Sequence, residues 1–182
     1  MKKLLLVILT VMAINFIALS QPYQKGTLSL SMGAEVLFTE RKLSASHHTG
    51  FGGTAKAEYV FSRHTSVTLA SGYYFMDGKN TPLTKYGDIS AIPVKAGLRQ
   101  YIGDFYASGE AGALLFMGFN KGTNFVYSLG LGDKIHLAGR VFDIGLRHEG
   151  WAVSGINTGS IALRVGYEFA VNEKSTISRA AF

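Results

Sequence analysis

The chain has 182 residues, no cysteine, 22 glycines and a formal charge of +6, with only 16% of its residues charged. Soluble domains carry roughly 25% charged residues and ~7% glycine, so this composition departs from the ordinary soluble pattern. The absence of cysteine excludes disulfides, thiolate chemistry and a lipid-attachment site, and no basic stripe is present of the kind that binds nucleic acid.

Met1-Lys2-Lys3 is followed by the apolar run Leu4 to Ala18 and then by Ala18-Leu19-Ser20. This is the order of a secretory signal peptide, cut after Ser20. The run is short for a membrane helix of ~20 residues, and Thr10 and Asn15 interrupt it. Residues 1–20 are therefore read as a signal peptide, residues 21–170 as one β-barrel domain and residues 171–182 as a tail left in the periplasm.

Beyond the signal, the chain reads as strands and turns with no helix. The predicted strands are Thr27–Phe38, Gly52–Phe61, Ser66–Phe75, Ile89–Tyr101, Phe105–Met117, Asn124–Leu131, Ile135–Arg147 and Gly159–Ala170. Each alternates apolar and polar residues, as a strand with two different faces requires. The connectors 62–65, 102–104 and 132–134 are tight; 39–51, 76–88, 118–123 and 148–158 are longer and polar. Short turns at one end and long loops at the other describe an all-β, eight-stranded antiparallel up-and-down barrel, with strands long enough to cross an outer membrane. In Ile135–Arg147 the apolar phase moves from Leu137 and Val141 to Phe142, Ile144 and Leu146. That predicts a β-bulge near Val141, unless the strand begins later.

Alternation alone does not say which face looks outward, because a secreted lipocalin-like barrel alternates too. Here the apolar face carries no ionised residue; Ser71 and Gln100 are its polar positions. A charge near the lipid midplane costs ~2–4 kcal/mol, which accounts for the exclusion. Aromatic residues gather at strand ends: Phe61, Tyr101, Phe105, Tyr167 and Phe169 near the short turns, and Phe38, Tyr73, Phe75, Phe125 and Trp151 near the long loops. Two such girdles match the two headgroup levels of a bilayer. The polar face holds Glu35, Lys56, Glu58, Lys95, Arg99, Glu110, Arg140, Asp143, Arg147, Arg164 and Glu168. Together these features favour a membrane barrel with its charged face inside.

The stretches Ile92-Pro93-Val94-Lys95-Ala96-Gly97-Leu98-Arg99, Phe105-Tyr106-Ala107-Ser108-Gly109-Glu110-Ala111-Gly112, Phe142-Asp143-Ile144-Gly145-Leu146-Arg147 and the closing segment 161–169 resemble small outer-membrane β-barrel domain proteins, common in Bacteroidetes. The resemblance covers nearly all of residues 21–170 and implies the eight-stranded fold of the OmpA/OmpX/OmpW-like group. It also implies that the insertion machinery reads a C-terminal aromatic signal, either Tyr167/Phe169 or Phe182.

Eight strands enclose a space barely wide enough for side chains. Nearly balanced charge in so narrow a lumen predicts a salt-bridged plug rather than a pore lined by one sign. The expected role is non-catalytic: membrane integrity or surface interaction through Arg41–Gly50, Met76–Asp88, Asn120–Asn124 and His148–Thr158. The expected partners are outer-membrane lipid, lipopolysaccharide included, and the insertion machinery; no extracellular ligand is legible. The alternatives are a narrow channel for small or apolar solutes, and a lipid A deacylase-like hydrolase using His148. The latter lacks the serine two residues on, where Gly150 stands, leaving Ser154 or Ser160 as hydroxyls that could approach it. Neither His47-His48, His64 nor His136 has the spacing of a metal site, and Gly50-Phe51-Gly52-Gly53 opens a strand, so it is no phosphate loop. No cofactor is expected.

Overall fold

In this computed structural model residues 25–80, 82, 84–117, 122–153 and 156–170 are described. The segments read as a signal peptide (1–20) and a C-terminal tail (171–182, with Phe182), and also Ser154, lie outside the described residues. The strands are β1 (Leu28–Glu40), β2 (Gly50–Ser62), β3 (Thr65–Met76), β4 (Ile89–Ile102), β5 (Phe105–Met117), β6 (Gly122–Leu137), β7 (Arg140–Val153) and β8 (Ile156–Ala170), with one helix, α1 (Arg41–Ser46), between β1 and β2. Neighbours in sequence are neighbours in space, and β8 closes on β1 from Ser29↔Ala170 to Glu40↔Gly159. The result is a closed eight-stranded antiparallel barrel with no free edge, so strand pairing runs all the way round the wall.

Tight turns at 63–64, 103–104 and 138–139 mark one end. At the other end the connections 41–49 and 77–88 are long, whereas 118–121 and 154–155 are short. The segment 148–158 is thus mostly strand, which corrects its reading as a long loop. Helix α1 was not foreseen either. It lays Leu43 over the barrel mouth, where that side chain is buried with Leu37, Tyr74, Met76, Leu114, Val126 and Trp151.

The largest correction concerns β6 and β7. The turn joining them lies at Ala138-Gly139, both with positive φ (51° and 73°), not at 132–134. Positive φ at both central residues is the hallmark of a tight hairpin turn whose twist suits the strands. The register from Phe125↔Ala152 to Leu137↔Arg140 is unbroken, so there is no bulge at Val141. The phase change has a simpler cause: Ile135 and Leu137 end one strand, and Phe142, Ile144 and Leu146 belong to the next.

The two faces of the wall differ as the alternation demands. Outward positions such as Met32, Leu69, Leu98, Leu129, Leu146 and Val165 are large, apolar and exposed. Inward positions are polar and buried, including Ser31, Thr54, Lys56, Thr68, Lys95, Arg99, Ser128 and Arg164. A belt of apolar side chains around a charged interior inverts the soluble arrangement and matches a wall facing lipid.

Candidate functional site

The interior is the only place where chemistry-bearing side chains converge among the described residues, and it can be followed as one chain of ions. Glu168 meets Lys134 at 2.8 Å, and Lys134 meets Glu58 at 3.1 Å. Glu58 pairs with Arg99 at 3.0 Å, Arg99 with Asp143 at 2.8 Å, and Asp143 with Arg164 at 2.9 Å. Arg164 reaches Glu35 at 3.6 Å; Glu35 pairs with Arg147 at 2.6 Å, and Arg147 with Glu149 at 3.2 Å. Glu149 takes Lys95 at 2.5 Å, Lys95 lies 3.5 Å from Glu110, and Glu110 ends on Lys56 at 2.6 Å. Signs alternate at every link, so six acids and six bases cancel.

Neutral donors add further hydrogen bonds to the carboxylates. Thr54 and Ser66 donate to Glu35 and Glu58, Tyr101 donates to Glu58, and Tyr106 donates to Asp143. The Arg99 guanidinium also stacks 4.0 Å from the centre of the Tyr106 ring. Glu149 accepts from the Trp151 indole at 2.9 Å and from Tyr74 at 3.3 Å. Buried charges of this kind persist only when paired and hydrogen-bonded, and these are both. Small residues make the room: a Cβ on Gly166 would stand 2.6 Å from the Arg164 guanidinium, and one on Gly52 would meet the Tyr74 ring at the same distance.

The structure places the charged residues anticipated from sequence as follows. Glu35, Lys56, Glu58, Lys95, Arg99, Glu110, Asp143, Arg147, Arg164 and Glu168 face inward and belong to the ion chain. Arg140 does not; it is exposed beside the 138–139 turn, because the true β7 starts there. Sequence reasoning missed Lys134, taken as a turn residue, and Glu149, taken as a loop residue. Both are buried. Parity could have found them: Glu149 continues the inward series of Asp143 and Arg147, and Lys134 that of Ser128, Gly130 and Gly132.

Of the aromatic residues assigned to the girdles, Phe38, Phe61, Tyr73, Phe75, Phe125 and Phe169 are exposed on the outer face, and Phe105 and Tyr167 are half-buried there. Tyr167 packs edge-on against Phe169 and Phe142. Tyr101 and Trp151 are corrections. They are 2% and 1% exposed and point into the barrel, where Glu58 and Glu149 bind their polar atoms.

His148 lies on the outer face, 44% exposed in its side chain, with Glu40 at 3.3 Å. Ser160 is wholly buried on the inner face of β8, so the wall separates the two and no nucleophile–base pair forms between them. His47 is committed elsewhere: its ring nitrogens bond Ser46 Oγ at 2.7 Å and the Gly87 carbonyl at 3.0 Å, tying the first loop to the second. Among the described residues no three histidine or carboxylate side chains gather as metal ligands.

A closed eight-stranded wall that is apolar outside and charge-paired inside defines a transmembrane β-barrel of the outer-membrane type. The particular fold is that of the small outer-membrane barrels, and solved structures share it. The outer-membrane protein Ail of Yersinia pestis in a phospholipid bilayer nanodisc aligns with a TM-score of 0.56 at 19% identity, over 80% of this chain and 100% of that one. The crystal structure of Ail, the attachment invasion locus protein, in complex with the heparin analogue sucrose octasulfate aligns with a TM-score of 0.53 at 18% identity, over 80% of this chain and 100% of that one. A de novo designed transmembrane β-barrel aligns with a TM-score of 0.52 at 12% identity, over 82% of this chain and 100% of the design. No protein-family model matches the chain, and no curated protein does.

Proposed function

We propose that the protein is a non-catalytic barrel of the outer membrane that works in membrane integrity or surface interaction, through its long-loop end, while its lumen stays shut. The observation that carries this reading is the filled interior. The ion chain occupies the lumen, and above it Leu43 of α1 joins an apolar cluster with Leu37, Met76, Leu114, Val126 and Trp151. An ion crossing the barrel would have to break several buried pairs and then pass an apolar stopper.

In this reading the long-loop end faces the cell exterior, and the tight turns and both termini face the periplasm. Outer-membrane lipid, lipopolysaccharide included, is the partner of the apolar belt, and the insertion machinery handles the closing strand. The first two loops form the most built surface there. His48 N–H donates to the Asp77 carbonyl at 2.9 Å, Lys79 N–H to the Ser46 carbonyl at 2.8 Å, and Gly78 N–H to the Asp88 carboxylate at 3.0 Å.

Planar-bilayer recording tests the proposal. The purified barrel, shown to be folded by a heat-dependent shift in gel mobility, is expected to add no unitary conductance. Reproducible single-channel steps from wild-type protein would overturn the sealed lumen and favour the channel. A lipid A fraction shortened by one acyl chain on expression would overturn the non-catalytic assignment.

A further inference from the structure

Apart from a register shift between Val60 and Ser62 beside the β2–β3 turn, the described strand pairings show one lapse. Along β3 and β4 the register runs to Ser71↔Val94 and resumes at Tyr74↔Ala91, omitting the steps that Gly72 and Tyr73 would make with Pro93 and Ile92. At this level the pairing on their other sides is unbroken, through Gly72↔Thr54 and Pro93↔Leu114. The cause is chemical: position 93 is a proline and has no N–H to donate to the Gly72 carbonyl. Proline inside a sheet is ordinarily confined to edges or bulges, and a closed barrel has no edge.

The lapse includes Tyr73, one of the girdle aromatics near the long loops, so it lies where the wall passes from lipid to headgroups. A buried backbone carbonyl without a donor costs about 1–3 kcal/mol, so a donor has to reach it. Two further observations point to its source. A cavity of about 10 Å³ adjoins the lapse, and Ser71, Tyr74 and Pro93 line it together with Lys56, Lys95 and Glu110. Its volume is at the lower limit for one water molecule, and its lining supplies the two to four polar partners a buried water needs. In addition, Ser71, next to the lapse, places a hydroxyl on an outer face that is otherwise apolar along β3 through Val67, Leu69, Tyr73 and Phe75.

We propose that this seam is a hydration site: one water held between the Gly72 carbonyl and the Lys56–Glu110 ion pair, exchanging through the β3–β4 wall rather than along the lumen. The water donates to the Gly72 oxygen and to the carboxylate and accepts from an ammonium. The ion chain, closed by Leu43 at the loop end, thereby meets exchangeable protons from its side.

Water-edited solid-state NMR of the labelled barrel in bilayers of chain-deuterated lipid tests this. Water magnetisation is expected to reach Gly72 and Ser71 at least about threefold faster than Leu69 and Ala96, which pair two rows from Ser71 on the same strands. Pro93→Ala restores an N–H, completes the ladder and is expected to bring Gly72 down to the Leu69 rate, with the heat-dependent gel shift retained. A wild-type Gly72 no faster than Leu69, or a rate unchanged in Pro93→Ala, would overturn the site. If Leu69 and Ala96 themselves take up magnetisation as fast as the turn residues 103–104, the outer face meets water, and the transmembrane reading on which this inference rests falls with it.

Discussion

The Glu149 carboxylate of β7 lies 2.5 Å from the Lys95 ammonium of β4, on the far side of the barrel, and both side chains are closed to solvent. Glu149 also receives Arg147, Tyr74 and Trp151, so one carboxylate holds four donors in place. Removing one member of a buried pair costs about 3–5 kcal/mol, because its partners are left without compensation. Glu149→Gln is expected to lower the urea stability of the lipid-embedded barrel by about that amount. The double variant Lys95→Met, Glu149→Leu should recover a large part of the loss. A Glu149→Gln variant as stable as wild type would mean that the pair contributes nothing to the fold.

Lys134 and Arg140 make a matched comparison, since each stands near the β6–β7 hairpin and each is a base. Lys134 is buried between Glu58 and Glu168, whereas Arg140 is exposed. Lys134→Met should cost about 3 kcal/mol. Arg140→Ala should change stability by no more than about 0.5 kcal/mol. Equal effects in urea unfolding would show that the turn has been misplaced.

The turn itself offers a gain. Ala138 has φ 51°, a backbone region in which a side chain bearing Cβ is strained and asparagine is better tolerated. Ala138→Asn is therefore expected to stabilise the barrel by roughly 0.5–1 kcal/mol. Gly139, at φ 73°, should show the reverse on replacement by valine. The same urea transitions report both.

The outer face makes its own demand. Leu69 is 58% exposed in mid-strand on the apolar side of the wall. Leu69→Arg should cost about 2–4 kcal/mol in a bilayer, whereas Lys85→Ala, in the second long loop, should be nearly neutral. If arginine at 69 is tolerated as easily as alanine at 85, the wall does not face lipid.

Most of the wall was legible in the sequence because a strand buried on one side writes its pleat directly into the pattern. β5 runs from Phe105 to Met117 as the alternation indicates, and β1 to β4 differ from their predicted bounds by a few residues. The β6–β7 hairpin was misread for a physical reason. Gly132-Asp133-Lys134 has stronger turn chemistry than Leu137-Ala138-Gly139, yet Gly132 faces inward, where a larger residue would strike the Tyr106 ring, and Lys134 faces inward as an ion. In a barrel with a polar core, polarity does not distinguish a loop from an interior position. Trp151 and Tyr101 misled in the same way: an aromatic near a strand end reads as a girdle residue until its parity is followed inward. The balance of interior charge was visible from composition, but its pairings were not, because Arg147 and Glu35 stand 112 residues apart.

That separation bears on assembly. Arg147 bonds Glu35 from β7 to β1, and Arg164 bonds Ser31 and Thr54 from β8 to β1 and β2. These links do not exist until the last strands have come round to the first. A sheet lacking β7 and β8 can already pair Lys56 and Lys95 with Glu110, and Arg99 with Glu58, but it leaves Glu35 without Arg147 and Arg164, a buried charge costing several kcal/mol wherever the membrane covers it. Closing the ring is therefore the step that neutralises the first strand's carboxylate, so the cost of burying β1 falls only once β7 and β8 stand beside it.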